Sequence, residues 1–104
     1  MQYFGLEKLM HLSDGYRKVF KIDAHELMLT QIDGQRFLIE ARCPHRGLSL
    51  EHASVSSSGQ LQCPHHHYQF NLMNGRLEAY SEEPCRALRV FNIVYQGNEV
   101  GVML

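Results

Sequence analysis

Apolar and polar positions alternate over short segments of the chain, and this pattern predicts β-strands separated by turns. Three consecutive segments, residues 17–22, 25–32 and 35–41, are rich in β-branched and aromatic residues. The last two flank Asp33-Gly34, a dipeptide typical of two-residue hairpin turns. We therefore expect these two segments to pair as a β-hairpin.

The C-terminal half of the chain shows the same kind of pattern. Asn74-Gly75 lies between "YQFNLM" and "RLEAY", and Gly97-Asn98 separates "LRVFNIVYQ" from "EVGVML". The two valines of the last segment alternate as they would in a half-buried strand. Several short strands at close spacing indicate a small sandwich or barrel, so we expect an all-β fold.

Two segments carry weaker structural signals. Residues 6–12, "LEKLMHL", are the only stretch that could support a helical turn or two, and Gly5 and Asp14-Gly15 confine it tightly. Residues 53–60, "ASVSSSGQ", have the composition of an exposed loop. We expect no long helix anywhere in the chain.

The length of 104 residues is sufficient for one modest hydrophobic core, so we expect a single domain over residues 1–104. The longest apolar runs are only a few residues, whereas a membrane-spanning helix needs about 20. The N-terminal segment lacks the apolar stretch of a signal peptide. We therefore expect a cytoplasmic protein without a membrane partner.

The charge and cysteine content restrict the possible chemistry further. The formal net charge is −1, and basic and acidic residues are scattered, which argues against a nucleic-acid partner. The three cysteines are an odd number in a chain with cytosolic features. This count argues against a disulfide framework and favours metal or redox chemistry.

The tripeptide Cys-Pro-His occurs twice, at residues 43–45 and 63–65, on segments expected to be loops. The first loop supplies a thiol and an imidazole, 17 residues follow, and the second loop supplies another such pair. The candidate ligands are Cys43, His45, Cys63 and His66, with His65 and His67 as neighbouring imidazoles. Two sulfur and two nitrogen donors suit mainly zinc or an iron–sulfur cluster, and spacing alone leaves both possible.

The two loops also resemble those of a known family. "CPHRGLSL" and "CPHHHYQFNLMNGR" are similar to the two cluster-binding loops of Rieske [2Fe–2S] proteins, particularly the small Rieske-type ferredoxins of oxygenase systems. The similarity extends to the closing segment "LRVFNIVYQGNEVGV" and so covers essentially the whole chain. It implies a Rieske fold, an antiparallel β-sandwich or barrel base with a small cluster-binding subdomain inserted at about residues 41–80.

The resemblance also implies the ligand roles. Cys43 and Cys63 would hold one iron as thiolates, and His45 and His66 would hold the other as imidazoles, which raises the potential above that of all-cysteine clusters. His66 is preferred to its neighbours on spacing alone. His67 stands where most family members have glycine or another small residue, so we expect either a left-handed backbone there or a different loop path.

The chain departs from the high-potential members of the family at four positions. Leu48 and His65 replace two cysteines that form a disulfide in those proteins, so that disulfide cannot form here. Tyr68 and Phe70 replace a serine and a tyrosine whose hydroxyls donate to cluster sulfurs. The resemblance therefore implies a potential near the low end of the Rieske range, which begins at about −150 mV.

Other chemically distinctive residues have simpler interpretations. Cys85 is most simply a small buried hydrophobe rather than a reactive thiol. Arg42 and Arg46 flank the first pair of ligands and are candidates for steering a partner or tuning the cluster charge. Glu78, Glu82 and Glu83 are most simply a solvated acidic face, with partner docking as the alternative interpretation.

The function implied by the resemblance is electron transfer rather than catalysis. The protein would carry one electron on a Rieske [2Fe–2S] cluster from a flavoprotein reductase to a terminal oxygenase, docking transiently with each. One alternative is the Rieske-like small subunit of a nitrite reductase-type complex, which typically lacks the cluster ligands. The others are a structural zinc-binding domain and a domain cut from a larger oxygenase, the latter disfavoured by Met1 and the short ends.

Overall fold

The computed structural model describes every residue from Met1 to Leu104 and confirms the all-β prediction. It contains eleven strands and one 3-10 helix, Leu9–His11, and no helix has the length and apolarity needed to cross a membrane. The strands are β1 Tyr3–Lys8, β2 Arg17–Ile22, β3 His25–Ile32, β4 Gln35–Glu40, β5 Ser54–Val55, β6 Gln60–Gln62, β7 Gln69–Asn71, β8 Leu77–Ala79, β9 Val90–Phe91, β10 Val94–Gln96 and β11 Glu99–Met103.

The strands form three antiparallel sheets. One sheet has the order β1-β11-β10 and joins the two ends of the chain, and a second has the order β2-β3-β4-β9. The third sheet, β5-β6-β7-β8, lies between β4 and β9 in the sequence. The two loops that carry the candidate ligands therefore belong to an insertion in a base built from both ends of the chain.

Strand β3 is buried on both faces from Leu27 to Gln31, which explains the uninterrupted apolar run Leu27-Met28-Leu29. On one face, Leu27 and Leu29 pack in a cluster that includes Val100 and Val102 of the terminal sheet. On the other face, Met28 belongs to a core of 12 buried residues that also contains both loop cysteines, Cys43 and Cys63. The base sheet is thus the layer on which the ligand loops rest.

The turn at Asp33-Gly34 has the predicted two-residue form. Ile32 pairs with Gln35, and Asp33 and Gly34 have φ values of +49° and +78°, as a type I′ turn requires. The side chain of Asp14 reinforces this turn, since its Oδ1 accepts a hydrogen bond of 2.8 Å from the backbone N–H of Gly34. The hairpin prediction for residues 25–41 is therefore confirmed.

The turns nearer the C-terminus differ in length. Gly97-Asn98 joins β10 to β11 directly, with Gln96 paired to Glu99, as a two-residue hairpin. At Asn74-Gly75 the dipeptide is only the end of a longer loop, because Asn71 N–H donates to Arg76 O across residues 72–75. The predicted segment 88–96 is divided between β9 and β10, which pair with different sheets.

Two predictions from local pattern were wrong in part. Residues 6–8 continue β1 instead of forming a helical turn, because Glu7 and Lys8 pair with Val100 and Glu99 of β11. Only Leu9–His11 is helical. The segment 53–60 contains a strand rather than only a loop, since Ser54–Val55 pairs with β6 and Ala53 is buried.

The carboxylate of Glu7 organises the end of β1. It accepts hydrogen bonds from the Tyr16 hydroxyl at 2.8 Å and from the backbone N–H of Lys8 at 2.9 Å, and it lies 2.8 Å from His11 Nδ1. These contacts lower the pKa of Glu7 to about 2, and the side-chain hydrogen bond with His11 has the largest effect. Each partner favours the ionised carboxylate, so the contacts depend on its charge.

We expect Glu7→Gln to lower the free energy of unfolding at pH 7 by about 1 kcal/mol, because the hydrogen bonds to this partly exposed charge are screened by water. A depressed folded pKa gives stability that is complete above the unfolded value of about 4.3 and is lost as pH falls toward 2. The difference from the native protein should therefore shrink between pH 5 and pH 2 in urea titrations. Glu51→Gln, whose carboxylate makes no hydrogen bond, should show no such difference, and equal pH dependence in both variants would contradict this assignment.

Candidate metal centre

The first ligand loop, residues 42–50, is a tight backbone turn. The N–H of Cys43 donates to Leu48 O at 2.8 Å, and the N–H of Gly47 donates to Cys43 O at 2.7 Å. Gly47 has a φ of +72°, a left-handed value that glycine adopts without strain. The turn buries the side chains of Cys43 and His45, which are 2% and 4% exposed.

The second ligand loop, residues 62–69, repeats the same pattern of bonds. The N–H of Cys63 donates to Tyr68 O at 2.8 Å, and the N–H of His67 donates to Cys63 O at 3.0 Å. His67 has a φ of +58° and occupies the position that Gly47 holds in the first loop. The left-handed backbone expected at His67 is therefore confirmed, and the loop follows the same path as its counterpart.

The two loops bring their ligand residues together in pairs. Cys43 and Cys63 lie in the same buried cluster, and burial, together with the nearby Cys63 thiol, raises the pKa of Cys43 to about 11. The rings of His45 and His66 lie with centroids 5.0 Å apart and planes nearly perpendicular. The two loops therefore face each other, with one pair of sulfurs and one pair of imidazoles.

Of the three consecutive histidines, only His66 faces His45. His66 is half-buried, while His65 and His67 are exposed. The ring of His67 instead has a partner on its own loop, since its Nδ1 lies 2.9 Å from Gln62 Nε2. The structure thus brings together the four residues selected from the sequence, Cys43, His45, Cys63 and His66.

The chemistry of these side chains fits a two-iron cluster. Both ring nitrogens of His45 are buried without a hydrogen-bond partner, an unfavourable state that coordination of one nitrogen would relieve. Coordination would also deprotonate the buried thiols, because a metal-bound cysteine is a thiolate. Two thiolates and two imidazoles also form a ligand set that holds a two-iron cluster.

Tyr68 is a structural part of the centre that the sequence did not assign. Its fully buried ring stacks on that of His45, with centroids 4.1 Å apart and an angle of 11° between the planes. Its hydroxyl donates to the backbone oxygen of Glu83. Since Phe70 is buried and has no hydroxyl, neither of these two positions supplies a side-chain donor to a cluster sulfur.

A third segment, residues 80–86, lies against both loops, and we call it the covering segment. The hydroxyl of Ser81 donates to His66 O at 2.7 Å, and Glu82 lies beside His45 and Arg46. Sequence reasoning missed these contacts and interpreted the acidic residues as a solvated face. Pro84 and the adjacent acidic pair mark an irregular segment, but nothing local indicates where it packs.

Cys85, in the covering segment, agrees with its interpretation as a small hydrophobe. It is half-buried and packs against the core that contains the other two cysteines, and all three are free thiols. Burial raises the pKa of the Cys85 thiol. A protonated thiol in apolar surroundings is unreactive, so Cys85 has no evident chemical role.

We expect His67→Gly to retain the metal centre and to unfold at the same temperature as the native protein or a higher one. Glycine removes the left-handed strain of a side chain, about 1–2 kcal/mol, and loses roughly 0.5–1 kcal/mol to its own entropy. His65→Gly has only the entropic cost and should be less stable. Loss of iron from His67→Gly would instead identify His67 as a ligand.

Comparison with known proteins gives consistent matches. A family model described as Rieske [2Fe-2S] domain matches residues 4–92. The biphenyl dioxygenase ferredoxin subunit of Pseudomonas sp. (strain KKS102) is 27% identical over 78 residues, which are 75% of this chain and 70% of that protein.

Solved structures show the same fold. The ferredoxin of carbazole 1,9a-dioxygenase from Nocardioides aromaticivorans IC177 matches with a TM-score of 0.80 and 24% identity, over 98% of this chain and 97% of that one. A chain from the reduced complex between oxygenase and ferredoxin in carbazole 1,9a-dioxygenase matches with a TM-score of 0.81 and 18% identity. That match covers 96% of this chain but only 27% of the other.

Proposed function

The chain belongs to the Rieske [2Fe–2S] domain family, and on this premise we propose that it is an electron carrier that holds one electron on a Rieske-type cluster. The cluster is the cofactor of the family, and it supplies a one-electron couple when bound. The relatives that match over most of their length are named as ferredoxins, which are components of dioxygenases and not the oxygenases themselves. The observation that carries the proposal is that the two facing loops bring together two buried cysteines and two neighbouring imidazoles.

The four proposed ligands would form two pairs, each of which binds one iron. Cys43 and Cys63 would hold one iron as thiolates, in the buried interior of the insertion. His45 and His66 would hold the other through imidazole nitrogens, with His66 only half-buried. A half-buried imidazole gives an electron a short path to a docked partner, while the buried thiolates keep water from the sulfur-ligated side.

We propose a flavoprotein reductase as the donor and a terminal oxygenase as the acceptor. Support for the acceptor comes from two relatives that match over most of their length, which are named as the ferredoxins of a biphenyl dioxygenase and of a carbazole 1,9a-dioxygenase. The surface beside His66 includes the exposed side chains of Arg46 and Tyr80, which offer a charge and an aromatic contact for transient docking. The reductase follows from the need for a source of single electrons.

We also propose that residues 1–104 act as one domain with a cluster-binding subdomain at about residues 41–80. The shared core supports this, because Met28 and Ile39 of the base pack with residues of both ligand loops. A cytoplasmic location is part of the proposal. The three free thiols are compatible with a reducing compartment.

The test is a low-temperature electron paramagnetic resonance spectrum of the dithionite-reduced protein, with iron and acid-labile sulfide measured on the same sample. We expect two irons and two sulfides per chain and a rhombic signal whose average g lies below that of all-cysteine clusters. Zinc in place of iron, with a silent spectrum, would contradict the proposal. Transfer is then tested by mixing the reduced protein with a purified biphenyl or carbazole dioxygenase oxygenase component and following reoxidation of the carrier.

A further inference from the structure

One carboxylate of the covering segment lies directly against a proposed ligand. Oε1 of Glu82 is 3.3 Å from Nε2 of His45, on a ring that is 4% exposed, although the two atoms are not aligned as a hydrogen bond. No other acidic side chain lies as close to the ring of a candidate ligand. Because Nε2 is the nitrogen next to Glu82, Nδ1 would be the nitrogen available to iron.

We propose that Glu82 is a positioning residue that accepts a hydrogen bond from Nε2–H of metal-bound His45 and thereby lowers the reduction potential of the cluster. The inference rests on the proposed function and assigns a role to a residue outside the ligand set. Tyr68 stacks on the same ring and so holds the plane of the ring, while Glu82 fixes the direction in which its Nε2 edge points.

Glu82 is held in place by its neighbours in the covering segment. On one side, Ser81 Oγ donates to the backbone oxygen of His66 at 2.7 Å. On the other side, the backbone oxygen of Glu83 accepts the hydroxyl proton of Tyr68. These bonds attach the segment to the second loop, and Glu82 then reaches across to His45 in the first loop. Although its side chain is 44% exposed, its backbone is anchored on both sides.

The charge of Glu82 determines the direction of its effect. A carboxylate that accepts the outer N–H of a ligating histidine raises the basicity of that ligand and orients its ring. Negative charge beside the centre favours the oxidised state over the reduced state, which carries one more electron. Arg46 opposes this effect, since its Nη2 lies 3.4 Å from both oxygens of the Glu82 carboxylate.

The experiment compares the reduction potentials of the cluster-loaded native protein, Glu82→Gln and Glu83→Gln at one pH and ionic strength. Both variants remove one negative charge from adjacent positions, but only Glu82 contacts His45. We expect Glu82→Gln to raise the reduced-to-oxidised ratio at a fixed potential by about tenfold, equivalent to ~59 mV for one electron. Glu83→Gln should shift it by less than a third as much in millivolts, and equal shifts would overturn the inference.

Two further measurements keep the outcomes distinct. Arg46→Gln, which leaves the Glu82 carboxylate unopposed, should move the potential in the other direction, and a rise would count against the inference. The nitrogen hyperfine couplings of the reduced centre should change in Glu82→Gln and not in Glu83→Gln, since only the first substitution changes the surroundings of the proposed ligand His45. A native protein without the rhombic signal would overturn the proposed function itself, whereas a normal native signal with equal shifts in the two variants would overturn this inference alone.

Discussion

Replacing Cys43 or Cys63 with serine should reduce the bound iron to less than a tenth of two atoms per chain. Both side chains are almost completely buried and belong to the same core cluster between the two loops. A hard hydroxyl oxygen is a poor substitute for a thiolate, and metal-binding free energy in such sites is also folding free energy. The variants should therefore lose the rhombic signal and unfold at a lower temperature. Iron analysis and thermal unfolding on the same samples measure both effects.

Histidine variants extend the same prediction to the other side of the centre. His45→Ala and His66→Ala should lose the native spectrum, because each removes one of the two facing imidazoles. His65→Ala should keep two irons per chain, since His65 is exposed. Cys85→Ser is the matched control for the cysteine variants and should also keep its iron. Retention in His66→Ala together with loss in His65→Ala would show that the ligand assignment is wrong.

Gly75→Ala should lower the free energy of unfolding by about 3–5 kcal/mol, the range of the most damaging single substitutions. Gly75 has a φ of +78°, where a side chain costs about 1–2 kcal/mol. A Cβ at this position would also lie 1.9 Å from the backbone oxygen of Leu88, which is part of the core. Backbone cannot move aside as a flexible side chain can, so we expect the hydrogen bond from Leu88 N–H to Gly75 O to be lost as well.

Gly34→Ala provides the control for this prediction. Gly34 has the same φ of +78°, but nothing lies within 4 Å of a Cβ built there. Gly34→Ala should therefore lower the free energy of unfolding only by the cost of the left-handed backbone, about 1–2 kcal/mol. Urea unfolding of the two variants separates the cost of backbone strain from that of the contact between the insertion and the base. Equal losses in the two variants would mean that the contact at Leu88 contributes nothing.

Local sequence predicted those elements whose structure depends on local chemistry. The bounds of β2 and β3 match the predicted segments because turn residues define their ends. Asp33-Gly34 tolerates the left-handed backbone that a two-residue hairpin needs. Residues 6–8 were mispredicted because pairing with β11, about ninety residues away, overrides a short helical pattern. Ser54–Val55 was missed because its strand character arises only from pairing with β6.

The candidate site was predictable to the extent that its spacing is local. The repeated Cys-Pro-His tripeptide located both loops, and the structure brings their thiols and imidazoles together. The contacts of Glu82 were not predictable, because they join residues 36 positions apart in the sequence. Tyr68 was interpreted only as a replaced hydroxyl donor, whereas its main contact is the stack on His45.

The sequence by itself determined the residues proposed as ligands, the positions of the tight turns and the all-β character, because each depends on residue chemistry and on spacing within a few residues. Only the tertiary structure decided which of the three consecutive histidines faces His45, why β3 is apolar on both faces and which carboxylate approaches a ligand. These features arise where segments distant in the chain pack against one another. Such packing is set by the summed burial of the whole core, and no single segment encodes it.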